Sequence, residues 1–132
     1  MFYASQKSSR GFTLVEIMIV VAIISLLAAI AVPNVLRARK RSQATRILED
    51  LRMIDNAVEH YALETGKVAG FHPEFDDLKA YLKTDTILYT TGTDLFGQTY
   101  GPFTVDSIPK VNSSTFDSLS EVADETFWSP YN

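Results

Sequence analysis

One carboxylate sits where carboxylates are rare. Glu16 lies four residues after Phe12 in the segment FTLVEIMIVVAIISLLAAIAVPNVL, residues 12–36. In hydrocarbon such a charge costs on the order of 2–3 kcal/mol at mid-bilayer and less near a helix end. That penalty makes Glu16 a candidate for pairing with a cation; the plainer account is a side chain snorkelling to the headgroups. The other chemistry-bearing residues form no constellation. His60 and His72 are the only histidines, and they lack metal-ligand spacing. His60 lies four before Glu64, an ordinary helix-surface pair. Glu74, Asp76 and Asp77 could bind a divalent cation, but carboxylates at a helix start explain them more simply. There is no phosphate-cradling glycine loop and no hydrolase nucleophile motif. With no cysteine in the chain, a thiol nucleophile, a cysteine metal site and a disulfide are excluded. No enzymatic activity, metal site or cofactor is expected.

The element that positions Glu16 is the apolar segment. Residues 17–32 carry no charge. As a helix, residues 12–36 would extend about 37 Å, enough for a hydrocarbon core of ~30 Å. The uncharged run alone would reach about 24 Å, so a full span must take in Glu16. The charges beyond the span separate by sign. Residues 37–52 hold six basic and two acidic side chains, and residues 54–132 hold four basic and thirteen acidic ones. With an acidic exposed part, a nucleic-acid partner is not expected. A plain signal-anchor fits the length but gives Glu16 no purpose. A secretory signal would use Lys7 and Arg10 as its basic start and Ala29-Ile30-Ala31 as its cleavage site. Against it stand the acid in its apolar middle and a helical period that resumes after Pro33.

The junction Arg10-Gly11-Phe12-Thr13-Leu14-Val15-Glu16 follows a short polar leader and precedes the apolar run. It resembles the class III signal of type IV prepilins and of the pseudopilins of type II secretion. The resemblance implies cutting by an aspartyl prepilin peptidase between Gly11 and Phe12, with N-methylation of Phe12. Glu16 matches the family's buried glutamate and Pro33 its helix-kinking proline. Gly11 has no Cβ, so its backbone can lie closely against a protease cleft. Cutting frees an amine on Phe12, one helical turn from Glu16, and opposite charges attract strongly at low dielectric. Glu16 would pair with its own amine or with that of an incoming neighbour. Pro33 lacks an N–H and crowds the Ala29 carbonyl, so a kink or an unwound stretch is expected there. It would either melt as subunits pack or simply bend the helix at the membrane surface.

Further along, Ala44, Ile47, Leu48, Leu51, Ile54, Val58, Tyr61 and Ala62 follow three- and four-residue steps, with Gly66 as a stop. The expected fold class is α+β. A long helix over residues 12–65 spans a membrane in its first half and packs by its second half on a small α+β head with a short antiparallel sheet. The expected divisions are a leader, 1–11; a transmembrane assembly helix, 12–36; its amphipathic continuation, 37–65; and a globular head, 66–132. The head is too small to be stable alone, so it is expected to borrow the helix as half of its core. Residues 73–83 read as a helix with Phe75, Leu78, Tyr81 and Leu82 inward. Residues 86–91 and 99–105 read as strands, the second an edge because of Pro102. Residues 113–123 read as a helix with Phe116, Leu119 and Val122 inward, and Trp128 and Tyr131 as lids on the core. Residues 94–100 are similar to the aspartate–aromatic–glycine–tyrosine turn of major pseudopilins, with Leu95 where a proline is usual. That group's glycine- and aspartate-rich calcium loop is absent, which weakens any calcium role for Asp94 with Asp85 or Asp106.

Five basic residues, Arg37, Arg39, Lys40, Arg41 and Arg46, form a collar after the span. They would face acidic patches on neighbouring heads or, alternatively, anionic lipid at about 1 kcal/mol each. By the positive-inside rule the collar would keep the head in the cytoplasm. The family resemblance implies the opposite: leader cytoplasmic, head periplasmic, and storage in the inner membrane before release into a periplasmic or surface filament. The partners it implies are copies of the chain, related minor subunits, the prepilin peptidase, an inner-membrane assembly platform and membrane lipid. The rival is a single-span, signal-anchored protein whose acidic head binds a ligand outside the membrane.

Overall fold

The computed structural model describes residues 10–132; Lys7 and most of the expected leader lie outside the described residues. A helix, α1, occupies Leu14–Thr65, starting two residues later than the periodicity suggests and ending where Gly66 takes a left-handed φ of 67°. The Lys67 amide then bonds back to the Ala62 carbonyl at 3.1 Å, which closes the last turn. The chain divides into two compact units, Met1–Leu36 and Arg37–Asn132, with the division inside α1.

The first unit contains the apolar part of α1, in which no side chain is buried; Leu14 is 78% exposed and Leu26 65%. This stretch is long and apolar enough to cross a membrane, with a mean hydropathy of 2.9 over its best window. Its one hydroxyl, Ser25, donates to the Val21 carbonyl at 2.8 Å, so it brings no unsatisfied polar group into an apolar surrounding. Helical structure continues through Pro33. The unwound stretch expected there is not seen, since the turns on both sides remain helical.

The second unit is built on the lower part of α1. Ala44, Ile47, Leu48, Leu51, Ile54, Ala57 and Val58 are buried, an inner stripe at three- and four-residue steps. Two core clusters sit along it. One gathers Leu119, Ala123, Trp128 and Tyr131 around Ala44–Leu51; the other gathers Leu78, Leu82, Leu88, Phe103 and Val105 around Ile54–Val58. The covering elements are α2 (Phe75–Leu78) with a 3-10 turn (Lys79–Tyr81), α3 (Ile87–Thr91), α4 (Ser113–Leu119) and α5 (Glu125–Trp128).

No strand occurs among the described residues, only an isolated antiparallel bridge between Thr93 and Thr99, so the expected sheet is corrected. Thr86–Thr91 fails as a strand because its ends are helix ends. The Thr86 hydroxyl accepts from the Tyr89 amide at 3.1 Å, and Gly92 closes α3 at φ 66°. The Thr90 and Thr91 hydroxyls bond to carbonyls four residues back, which uses up the β-branched side chains locally. Residues 99–105 contribute Phe103 and Val105 to the core from an irregular segment. The helix read over 73–83 is shorter, because Glu74, and not Pro73, stands at its N-cap; Leu78 and Leu82 are buried while Phe75 and Tyr81 are half-buried. The last helix stops at Leu119, and α5, capped by the Asp124 carboxylate on the Phe127 amide at 2.9 Å, was not anticipated. Trp128 is no lid. It is 0% exposed, and its indole donates to the Ala123 carbonyl at 3.2 Å.

Leu51 is fully buried in the cluster that holds the single tryptophan. Leu51→Ala is expected to cost about 2–5 kcal/mol. Trp128 fluorescence during urea unfolding of the detergent-solubilised chain would show this as a lower midpoint.

Candidate functional site

Gly11 and Phe12 are exposed and precede α1. The helix begins with a reciprocal cap. The Thr13 amide and hydroxyl donate to Oε2 of Glu16 at 2.7 and 3.0 Å, and the Glu16 amide donates to the Thr13 hydroxyl at 3.2 Å. This is a capping box, Thr-x-x-Glu, and the sequence reading missed it although the spacing was there to see. The carboxylate is thus held against the positive end of the helix dipole by Thr13. Glu16 therefore has its hydrogen-bond partner in Thr13, the residue that follows Phe12.

The basic collar divides into two sets. Arg37 and Lys40 both reach Glu121, at 3.3 and 2.8 Å. Arg41 donates to the Val122 carbonyl and stacks over the Phe127 ring, 4.2 Å from its centroid. The two cations hold the Glu121 carboxyl below the usual carboxylate range, chiefly through the Lys40 hydrogen bond. Both sides of this contact are open to water, so the pairs contribute little energy and mainly fix orientation. Arg39 and Arg46 are exposed and join no salt bridge among the described residues. Three of the five collar residues are therefore engaged by the head of their own chain, a contact too distant in sequence for any local pattern to announce.

The prokaryotic N-terminal methylation motif matches residues 6–32, a stretch that contains Gly11, Phe12 and Glu16 and ends one residue before Pro33. The chain is 47% identical over 58 residues to a fimbrial protein of Pseudomonas aeruginosa, which covers 44% of this chain and 38% of that protein. It is 32% identical over 62 residues to the type II secretion system core protein G of Klebsiella michiganensis, 47% of this chain and 44% of that one. It is 41% identical over 58 residues to a type IV wide pilus major component of Thermus thermophilus, 44% of each chain. The N-terminal part of the chain is similar to type IV pilins and to type II secretion core proteins. The matches span less than half the length of these relatives. No solved structure matches the chain.

The turn at residues 94–100 organises the head. Asp94 is 3% exposed, and its carboxylate accepts from the Phe96 amide at 2.8 Å, the Gln98 amide at 2.9 Å and the Thr115 hydroxyl. Its oxygens are thus occupied in tying the turn to α4, rather than turned toward Asp85 or Asp106, both exposed at left-handed φ of 64° and 61°. Tyr100 at the end of the turn donates to Oδ2 of Asp50 on α1 at 3.2 Å. Burial pushes the Asp50 carboxyl above its ordinary value, and the Tyr100 bond offsets part of that. The Tyr100 hydroxyl is pushed up strongly, first by burial and then by facing Asp50. His60 is exposed on α1, while the His72 ring meets the Phe103 carbonyl at 3.2 Å and the Thr104 hydroxyl at 2.9 Å.

Because Asp50 binds its proton more tightly when folded, its stabilising contribution is complete below pH 3.8 and is lost as pH rises through its higher folded value. Asp50→Asn keeps an acceptor for Tyr100 and removes the buried charge. The variant is expected to be more stable than the parent at pH 7, with the advantage gone by about pH 3. Urea midpoints at the two pH values test this.

Proposed function

We propose that the chain is a structural, non-enzymatic subunit of a type IV pilus-like or type II secretion filament. The observation that carries this reading is the methylation motif over residues 6–32, with Gly11, Phe12 and Glu16 inside it. In this reading the precursor waits in the inner membrane with its leader cytoplasmic and its head periplasmic. A prepilin peptidase cuts between Gly11 and Phe12, and Phe12 becomes the N-methylated first residue. The membrane helix then leaves lipid for a bundle of its own kind, in a periplasmic or surface filament built with related minor subunits and an inner-membrane assembly platform.

The geometry supports a specific sequence of events. Before cutting, the Glu16 carboxylate is occupied by Thr13. Cutting adds a full positive charge close by, and that charge in an apolar surrounding outweighs a neutral amide as a partner. The carboxylate can serve its own amine or that of a neighbour. A neighbour staggered along the fibre leaves neither charge bare in lipid, so pairing and ordered addition become the same event. Pro33 leaves the Ala29 carbonyl without its usual donor, a weak point for bending during that transfer.

Mass spectrometry of the mature N-terminus tests the reading. Methyl-phenylalanine at residue 12 is expected. An intact leader would point to a plain membrane anchor, and a start at Val32 to a secreted protein; either would contradict the proposal. Glu16→Ala is expected to leave membrane insertion intact and to abolish most filament output, measured by shearing and sedimentation. Normal filament yield from that variant would remove Glu16 from the assembly step.

A further inference from the structure

A groove of about 490 Å³ opens where α1 ends, between the helix and the segment around residues 105–108. Its floor is apolar and uncovered, with Leu63 and Val68 each 76% exposed and Ile108 47% exposed. Its rim is acidic, formed by Asp55, Glu59 and Asp106, none of which joins a salt bridge among the described residues. The basic side chain at the groove, Lys67, lies over the Phe71 ring at 4.3 Å. Such a surface suits a partner that brings positive charge on an otherwise weakly polar face.

The same chain carries that partner. Arg39 and Arg46 are the collar residues that form no salt bridge with the head among the described residues, Arg46 having only the nearby charge of Asp50 on its own helix. They stand seven apart on α1, two turns, and so share one face of the helix. They cannot reach the groove of their own chain. Arg46 and Glu59 are thirteen residues apart on one helix, about 20 Å at 1.5 Å per residue, well beyond side-chain reach. A second copy displaced by a similar distance along the helix direction removes that obstacle.

We propose that the groove at residues 55–69 and 105–108 docks the Arg39–Arg46 face of α1 from a second copy of this chain. The contact is heterologous, joining two different surfaces, so each bound copy still offers a free groove and a free basic face. Repeated contacts of this kind propagate an open filament instead of closing a dimer. The proposal rests on the filament reading above and adds to it the surface that would set the stagger between heads.

The absence of cysteine makes a clean test possible. Two differently tagged full-length copies would be co-expressed, one Glu59→Cys and the other Arg46→Cys, and sheared filaments oxidised. A mixed disulfide dimer is expected when both cysteines are present, and none when either variant is paired with the parent. In parallel, Glu59→Arg should lower filament yield about tenfold or more through like-charge contact, and adding Arg46→Glu to the same chain should restore it. Unchanged Trp128 fluorescence in both variants would exclude misfolding as the cause. Filaments with N-methylated subunits but no mixed dimer and no charge rescue would overturn the docking proposal and leave the filament reading standing. Capture of a different protein by the Glu59→Cys copy would overturn it too. So would an Arg39→Glu/Arg46→Glu variant that assembles normally and loses only its binding to anionic vesicles. A chain that is never cut and never sediments as filaments would bring down the underlying reading, and this proposal with it.

Discussion

The inner stripe of α1 is the contact on which the rest of the molecule depends. Seven of the sixteen buried apolar residues among those described belong to it, and each of the two core clusters closes around one part of it. The elements that cover it are very short, with α2 and α5 at four residues each, α3 at five and α4 at seven. Helices of that length do not hold together in water by themselves. What holds them is capping at their ends and burial against Ala44–Val58. Because the head has no sheet among the described residues, it has no second framework to fall back on.

This arrangement gives one helix two tasks. Its first part exposes every large apolar side chain and is long and apolar enough to cross a membrane, while its lower part is the core of the head. The chemistry at the two ends of the membrane stretch fits those tasks. At the start, a capping box keeps the Glu16 carboxylate satisfied. Just past the end, Arg37, Lys40 and Arg41 hold the segment at residues 121–127 close to α1. These surface pairs add little energy, but they secure the chain to the helix at the first turns of the head. The tight core begins at Ala44, two turns later.

Much of this was legible in the sequence where one force dominates. The membrane stretch shows itself by composition, the inner stripe by its three- and four-residue steps, and the helix end by Gly66. The head misled where local and long-range preferences compete. Residues 86–91 have the β-branched and aromatic content of a strand, yet Thr86 and Gly92 are a helix cap and a helix stop, and Leu88 needs the core; capping decided the outcome. At Thr13–Glu16 the box is spelled in the sequence, where the charge of Glu16 overshadows its nearest donor. Trp128, near the chain end, reads as a lid from its position alone. A buried indole with a carbonyl to bond and a capped turn to carry it belongs inside. The division of the collar depended on Glu121, eighty-four residues from Arg37, and no local pattern announces a contact at that separation.

The dependence of the head on α1 can be measured directly. The most direct measurement compares two fragments in water, residues 37–132 and residues 66–132, by Trp128 emission and urea titration. The account predicts blue-shifted emission and one cooperative transition for the first, and red, solvent-exposed emission with no transition for the second. Native-like emission and cooperative unfolding in the fragment without α1 would show that the head stands by itself, and would contradict the account.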